Sequence, residues 1–90
     1  MHYEAMKNFG LSISMFNEAL QYEGLHIGRV LSQSKDVYRV VTEKGELFAV
    51  VSGKYRYEAQ MISDYPAVGD FVLLDRDTGH AGNGIIHQLL

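Results

Sequence analysis

The chain has 90 residues, 47% of them hydrophobic and 21% charged, with no cysteine and a formal net charge of −3. This is the length of one small domain with an ordinary globular composition, too short for a catalytic domain beside a recognition domain. Without cysteine the 90 residues can hold no disulfide, zinc ribbon or thiol nucleophile, and no apolar run nears the roughly 20 residues of a membrane helix.

Met1-His2-Tyr3-Glu4 lacks the basic-then-apolar pattern of a signal peptide, so a cytoplasmic location without membrane contact is expected. Asn8-Phe9-Gly10 reads as a turn that folds the N-terminus back. Leu11, Met15, Ala19 and Tyr22 recur at helical spacing and predict a short helix, capped by Ser12 or Ser14 and ended by Gly24. Phe16 and Leu20 widen its apolar stripe, so the helix must lie on the rest of the domain or on a partner. Residues 1–24 form this helical leader, and residues 25–90 form the domain proper.

From Leu25 the texture changes to short β-type runs. Leu25 to Gln33 is the first, and Gly28 inside it marks a bulge or a sharp barrel corner. Asp36 to Glu43 and Glu46 to Ser52 form a hairpin across Lys44-Gly45, with the glycine where a positive φ is needed. Lys54 to Ile62 shows no strand alternation, and Tyr57, Met61 and Ile62 suit one face of a helical turn that Pro66 brings to an end. Phe71 to Asp75 and Gly84 to Leu90 complete five strands, with the loop Arg76 to Asn83 between them. An all-β, five-stranded OB-fold barrel with a short N-terminal helix has this layout.

Alternation divides the hairpin into two faces. Tyr38, Val40 and Thr42 go with Leu47, Ala49 and Val51, and the small Ala49 suits a crowded interior, so this set points inward. Arg39 and Phe48 are then outside on strands two and three, the face on which OB-folds bind oligonucleotides. Either they are free to contact a phosphate and stack a base, or the leader's apolar stripe covers Phe48.

The charge is unevenly spread. Residues 25–62 hold Arg29, Lys35, Arg39, Lys44, Lys54 and Arg56 against four acids, whereas residues 1–24 and 63–90 are net acidic. Phosphates respond to charge within a Debye length of about 8–10 Å, so the positive middle outweighs the overall sign. No catalytic or metal constellation emerges: Asp70, Asp75 and Asp77 suit turns, and His2, His26, His80 and His87 lack ligand spacing. Gly53-Lys54 fails the phosphate-loop pattern, since position 48 is Phe and position 55 is Tyr.

Val51-Ser52-Gly53-Lys54-Tyr55-Arg56, then Asp64-Tyr65-Pro66-Ala67-Val68-Gly69-Asp70-Phe71-Val72, with Gly28-Arg29-Val30, Tyr38 to Glu43 and Gly45-Glu46-Leu47, resemble the N-terminal OB domain of the circularly permuted ribosome-assembly GTPases, the RsgA (YjeQ/YloQ) family. A weaker likeness, to bacterial translation initiation factor one, rests on Ser52-Gly53-Lys54, Arg56 and Gly69-Asp70. The family resemblance implies a parent protein that hydrolyses GTP with Mg and carries a zinc domain, of which this chain, lacking those motifs, is an N-terminal fragment without cofactor or enzymatic activity of its own. It further implies a monomeric module that binds ribosomal RNA and helps dock the parent on the small (30S) subunit during late maturation. The expected RNA contacts are Lys54 and Arg56 to phosphate, Tyr55 or Tyr57 as stacking rings, Arg39 and Phe48 on the barrel face, and Lys35 and Lys44 at loop tips. Two other readings are a protein-contact module, in which Phe48, Val41 and Val50 dock on the parent's GTPase domain or a ribosomal protein, and a free-standing initiation-factor-like OB protein.

Overall fold

The computed structural model describes residues 3–90; Met1 and His2, the first of the four histidines, lie outside the described residues. The leader forms two helices, α1 (Tyr3–Lys7) and α2 (Ile13–Ala19), joined through the Asn8-Phe9-Gly10 turn. Gly10 has φ +94°, a conformation that costs glycine little. Ser12 is the cap of α2, its hydroxyl accepting from the Met15 N–H at 3.1 Å. The helix stops at Ala19, earlier than the Gly24 end expected from sequence, because the N–H groups of Gln21 and Tyr22 turn to the Glu18 and Ala19 carbonyls.

Five strands follow: β1 (His26–Ser34), β2 (Val37–Thr42), β3 (Gly45–Val51), β4 (Phe71–Leu74) and β5 (Gly84–Leu89). They close in the order β1-β2-β3-β5-β4, with β4 returning to β1 and with β3 and β5 parallel. This is an OB-fold barrel. Between β3 and β4 run α3 (Gly53–Glu58) and a 3-10 turn (Ile62–Asp64). Ser52 caps α3 by accepting from the Tyr55 N–H at 2.9 Å. The helix ends as Ala59 turns extended, with ψ 129°. Tyr57 and Ile62 are consequently 90% and 91% exposed and Met61 is exposed too, so these three do not form the buried helical face that their spacing suggests.

Two expectations shift in detail. The β2–β3 turn is Glu43-Lys44, and Gly45, with φ +119°, already pairs with Thr42 at the start of β3. Gly28 is not a bulge; the register break in β1 falls between Val30 and Ser32. Glycine is required at position 28 because a Cβ there would lie 2.3 Å from Cγ1 of Val40, inside the barrel where β1 crosses from β4 to β2.

The interior holds Val30, Tyr38, Val40, Leu47, Ala49, Val51, Val72, Leu74 and Ile86, so the inward set read from the hairpin is correct. A second apolar cluster lies outside the barrel wall. Ile27, Phe71 and Leu73, on the outer faces of β1 and β4, are covered by Met6, Leu11 and Ala19 of the leader, with Phe9, Phe16 and Tyr22 at its margin. Arg29 fastens this layer: its guanidinium donates to the carbonyls of Phe9 at 2.6 Å and Gly69 at 3.1 Å and lies 5.3 Å from the centre of the Phe71 ring. The leader therefore occupies the β1–β4 side, and Phe48 on β3 remains 57% exposed.

Candidate nucleic-acid interface

The open side of the barrel is the outer surface of β2 and β3. Arg39 and Phe48 are direct register partners there, so a guanidinium and an aromatic ring stand side by side facing solvent. They border a groove of about 660 Å³ whose near wall is Lys44, Glu46, Leu47 and Phe48 and whose far wall is the β4–β5 loop from Thr78 to Asn83. Among the described residues the loop contributes His80 and Asn83 to this lining, two groups that the reading of the hairpin did not single out. Strand alternation carries no signal for them, because the loop reaches the groove only once the barrel has closed.

Charges in the groove are mixed. Arg39 lies 3.3 Å from Glu46 with both side chains about half exposed, and Lys44 lies 3.5 Å from Asp77. The Arg39–Glu46 pair, exposed on both sides, is of the kind that contributes about 0–1 kcal/mol, so a phosphate can displace the Glu46 carboxylate without large penalty, whereas Asp77 is mostly buried.

The remaining expected contacts are spread over the opposite end of the barrel. Lys35 sits at the tip of the β1–β2 turn with φ +53°. Together with Arg56 it lines a second, smaller groove of about 290 Å³ that includes Tyr38, Ile62 and Tyr65. Arg56 is 3.9 Å from Asp36. Lys54 faces a different hollow, beside Glu58, His87 and Gln88, so the structure separates Lys54 from Arg56 although only one residue lies between them.

The two tyrosines of α3 differ. Tyr55 packs against the barrel core and the Tyr65 ring, and its hydroxyl donates to the Asp64 carbonyl. Burial, followed by the proximity of Tyr38 and Asp64, pushes its pKa up to about 12. Tyr57 presents its ring to solvent. The β4–β5 loop is anchored at its base by Asp75, which accepts from the Ile85 N–H at 2.7 Å and from Arg76 through two nitrogens. Partial burial raises the Asp75 pKa, but the Arg76 and Ile85 hydrogen bonds outweigh it and hold the carboxyl below its ordinary value.

Among the described residues no three His, Asp or Glu side chains converge in a way that could hold a metal ion, and no helix is long and apolar enough to cross a membrane. Gly53-Lys54 opens a six-residue helix capped by Ser52.

A closed five-stranded barrel with one outer face sealed by its own leader and the other presenting arginine beside phenylalanine defines an OB-fold domain with one open face. Its relatives are more specific. The sequence is 39% identical over 66 residues to the small ribosomal subunit biogenesis GTPase RsgA 2 of Lactiplantibacillus plantarum, across 73% of this chain and 19% of that protein. It is 41% identical over 61 residues to RsgA 1 of Oceanobacillus iheyensis, across 66% of this chain and 17% of the relative, and 39% identical over 67 residues to RsgA 1 of Listeria innocua, across 74% and 19%. No protein-family profile matches the chain. The chain is a sequence relative of the RsgA family and corresponds to its N-terminal OB domain. It spans about a fifth of the length of the curated relatives it matches.

Proposed function

We propose that this chain is a ribosomal-RNA-binding module of a ribosome-assembly GTPase, and that it helps dock that enzyme on the small ribosomal subunit during late maturation. GTP hydrolysis, with its magnesium, and zinc binding belong in this reading to parts of the parent outside these 90 residues. The observation that carries the proposal is the free β2–β3 face: Arg39 and Phe48 stand side by side on an open groove, and the leader lies on the other side of the barrel. An exposed ring can stack a base and an adjacent guanidinium can hold the phosphate next to it, a combination suited to single-stranded or splayed-out RNA. Lys44 extends the positive edge of this groove. Lys35, Arg56 and Tyr57 offer a second contact zone across the barrel, and Lys54 a third. Because each groove cation also faces an acid, binding by the chain alone is weak, with a dissociation constant on the order of micromolar or higher.

The test is binding of small-subunit rRNA transcripts to the wild-type chain and to Phe48→Ala and Arg39→Ala over a range of salt concentrations. Phe48→Ala is expected to weaken binding by about 1–3 kcal/mol at all salt concentrations. Arg39→Ala is expected to flatten the salt dependence by about one unit of slope. If neither variant changes affinity or slope, the β2–β3 face is not the RNA site. The protein-contact alternative has less apolar surface to work with, since Val41 is only 7% exposed and Val50 is half-buried, leaving Phe48 as the exposed apolar residue of the three.

A further inference from the structure

The two walls of the groove come from different parts of the chain, the β2–β3 turn and the β4–β5 loop, and something must hold them at a fixed separation. Thr42 is placed to do so. It is the one buried polar side chain among the described residues, at 2% exposure, although strand alternation directs it inward among apolar residues. Its Oγ1 lies 2.7 Å from the Asp77 carbonyl and 3.2 Å from the Gly45 carbonyl, and it accepts from the Lys44 N–H at 3.1 Å. A hydroxyl has one proton to donate, and the shorter contact places it on Asp77. The hydroxyl thereby accepts from the turn that carries Lys44 and donates to the loop that carries His80 and Asn83.

The contacts around it converge on the same loop. The Asp77 carboxylate lies 3.5 Å from both Lys44 Nζ and His26 Nδ1. Two residues on, Gly79 rests so close to β3 that a Cβ would lie 3.3 Å from Cβ of Leu47. Beyond this point the loop is exposed from Gly79 to Asn83. The loop is thus fixed at its base by Asp75 and along its flank by Thr42, and its tip is free.

We propose that Thr42 is a positioning residue for the groove: its buried hydroxyl sets the separation between the β2–β3 turn and the β4–β5 loop, and so the width available to the ligand, without touching the ligand itself. The inference rests on the RNA-binding reading for its effect on affinity, but not for its effect on the loop. Thr42→Val keeps the shape and removes the hydroxyl, leaving the Asp77 carbonyl and the Lys44 N–H without a partner. The amide signals of residues 76–83 and of Lys44 are expected to shift or broaden, and affinity for small-subunit rRNA transcripts to fall roughly tenfold, the equivalent of losing one buried hydrogen bond. The salt slope is expected to stay at the wild-type value, since no phosphate contact is removed. Thr42→Ser, which restores the hydroxyl, is expected to recover both loop signals and affinity.

Unmoved loop signals in Thr42→Val overturn the proposal whether or not the chain binds RNA. Disturbed loop signals with wild-type affinity, in a chain whose affinity Phe48→Ala does lower, overturn the link from loop to ligand while leaving the RNA reading intact. If Thr42→Val does not fold, Gly79→Ala presses the same loop away from Leu47 and is expected to give the same loop shifts and loss of affinity; its failure to do so counts equally against the proposal.

Discussion

The outer surfaces of the β1–β4 and β2–β3 halves of the barrel are built from the same kind of strand and serve opposite ends. On β4 the sequence Phe71-Val72-Leu73-Leu74 is apolar without interruption, and all four residues are buried, two in the barrel and two beneath the leader. On β3 the sequence Glu46-Leu47-Phe48-Ala49 alternates, and its outer residues Glu46 and Phe48 stay exposed. A strand buried on both faces has no position for a polar residue, whereas one with a wet face must carry them. The leader went where burying apolar surface gained most. The face it left uncovered is the one with a guanidinium beside a ring.

Stability measurements show directly whether the two faces are packed differently. Phe71→Ala opens a cavity under the leader and is expected to cost about 3–5 kcal/mol in denaturant unfolding, while Phe48→Ala on the open face changes stability by no more than about 0.5 kcal/mol. Equal losses would mean that the two faces are not differently packed. The next largest effect is expected from Arg29→Ala. Losing its bonds to the Phe9 and Gly69 carbonyls costs about 1.5–3 kcal/mol, and amide exchange is expected to quicken across residues 9–20 before it does so in the barrel. On the open face the change to look for is in binding. Lys54→Ala/Arg56→Ala is expected to reduce RNA affinity by less than Phe48→Ala, because the two cations point into separate hollows away from the main groove.

The smallest effect concerns acid. The folded-state pKa of Asp75 is depressed, so the stability it contributes is present above its unfolded value near 4 and is lost as pH falls through the lower folded value. Amide signals of the β4–β5 loop are expected to broaden in that acidic range before the β1–β4 side changes. Asp75→Asn is expected to remove this early step. A loop that holds its signals until global unfolding would show that Asp75 is not its anchor.

Much of the fold was legible because local rules agreed with one another. Alternation in Tyr38 to Val51 sorted inside from outside correctly, and Ser12 and the Asn8-Phe9-Gly10 turn marked where the leader bends. The pairing of Tyr57 with Met61 and Ile62 misled, because helical spacing says nothing about whether the chain remains helical, and here it ends at Glu58. The position of the leader was in fact written in the unbroken apolar run of β4, a signal that helix periodicity alone does not use. Of the candidate site, alternation placed Arg39 and Phe48 on the same outer face, but not opposite each other: a Lys44-Gly45 turn would set Phe48 against Val41, and the direct pairing follows from the turn at Glu43-Lys44. That Tyr55 turns in while Tyr57 turns out could not be read either, since it depends on where α3 meets Tyr65 and Asp64.

Composition, alternation and turn residues by themselves determined a small, cysteine-free, five-stranded barrel with a positive middle, because these depend on properties that each short segment carries with it. The tertiary structure alone decided which side the leader seals, how five of the six basic residues of that middle segment divide among separate hollows while Arg29 fastens the leader, and that a buried threonine joins the two walls of the groove. The reason is distance along the chain. Asp77 lies 35 residues from Thr42, and only closure of the barrel brings the two within a hydrogen bond of each other.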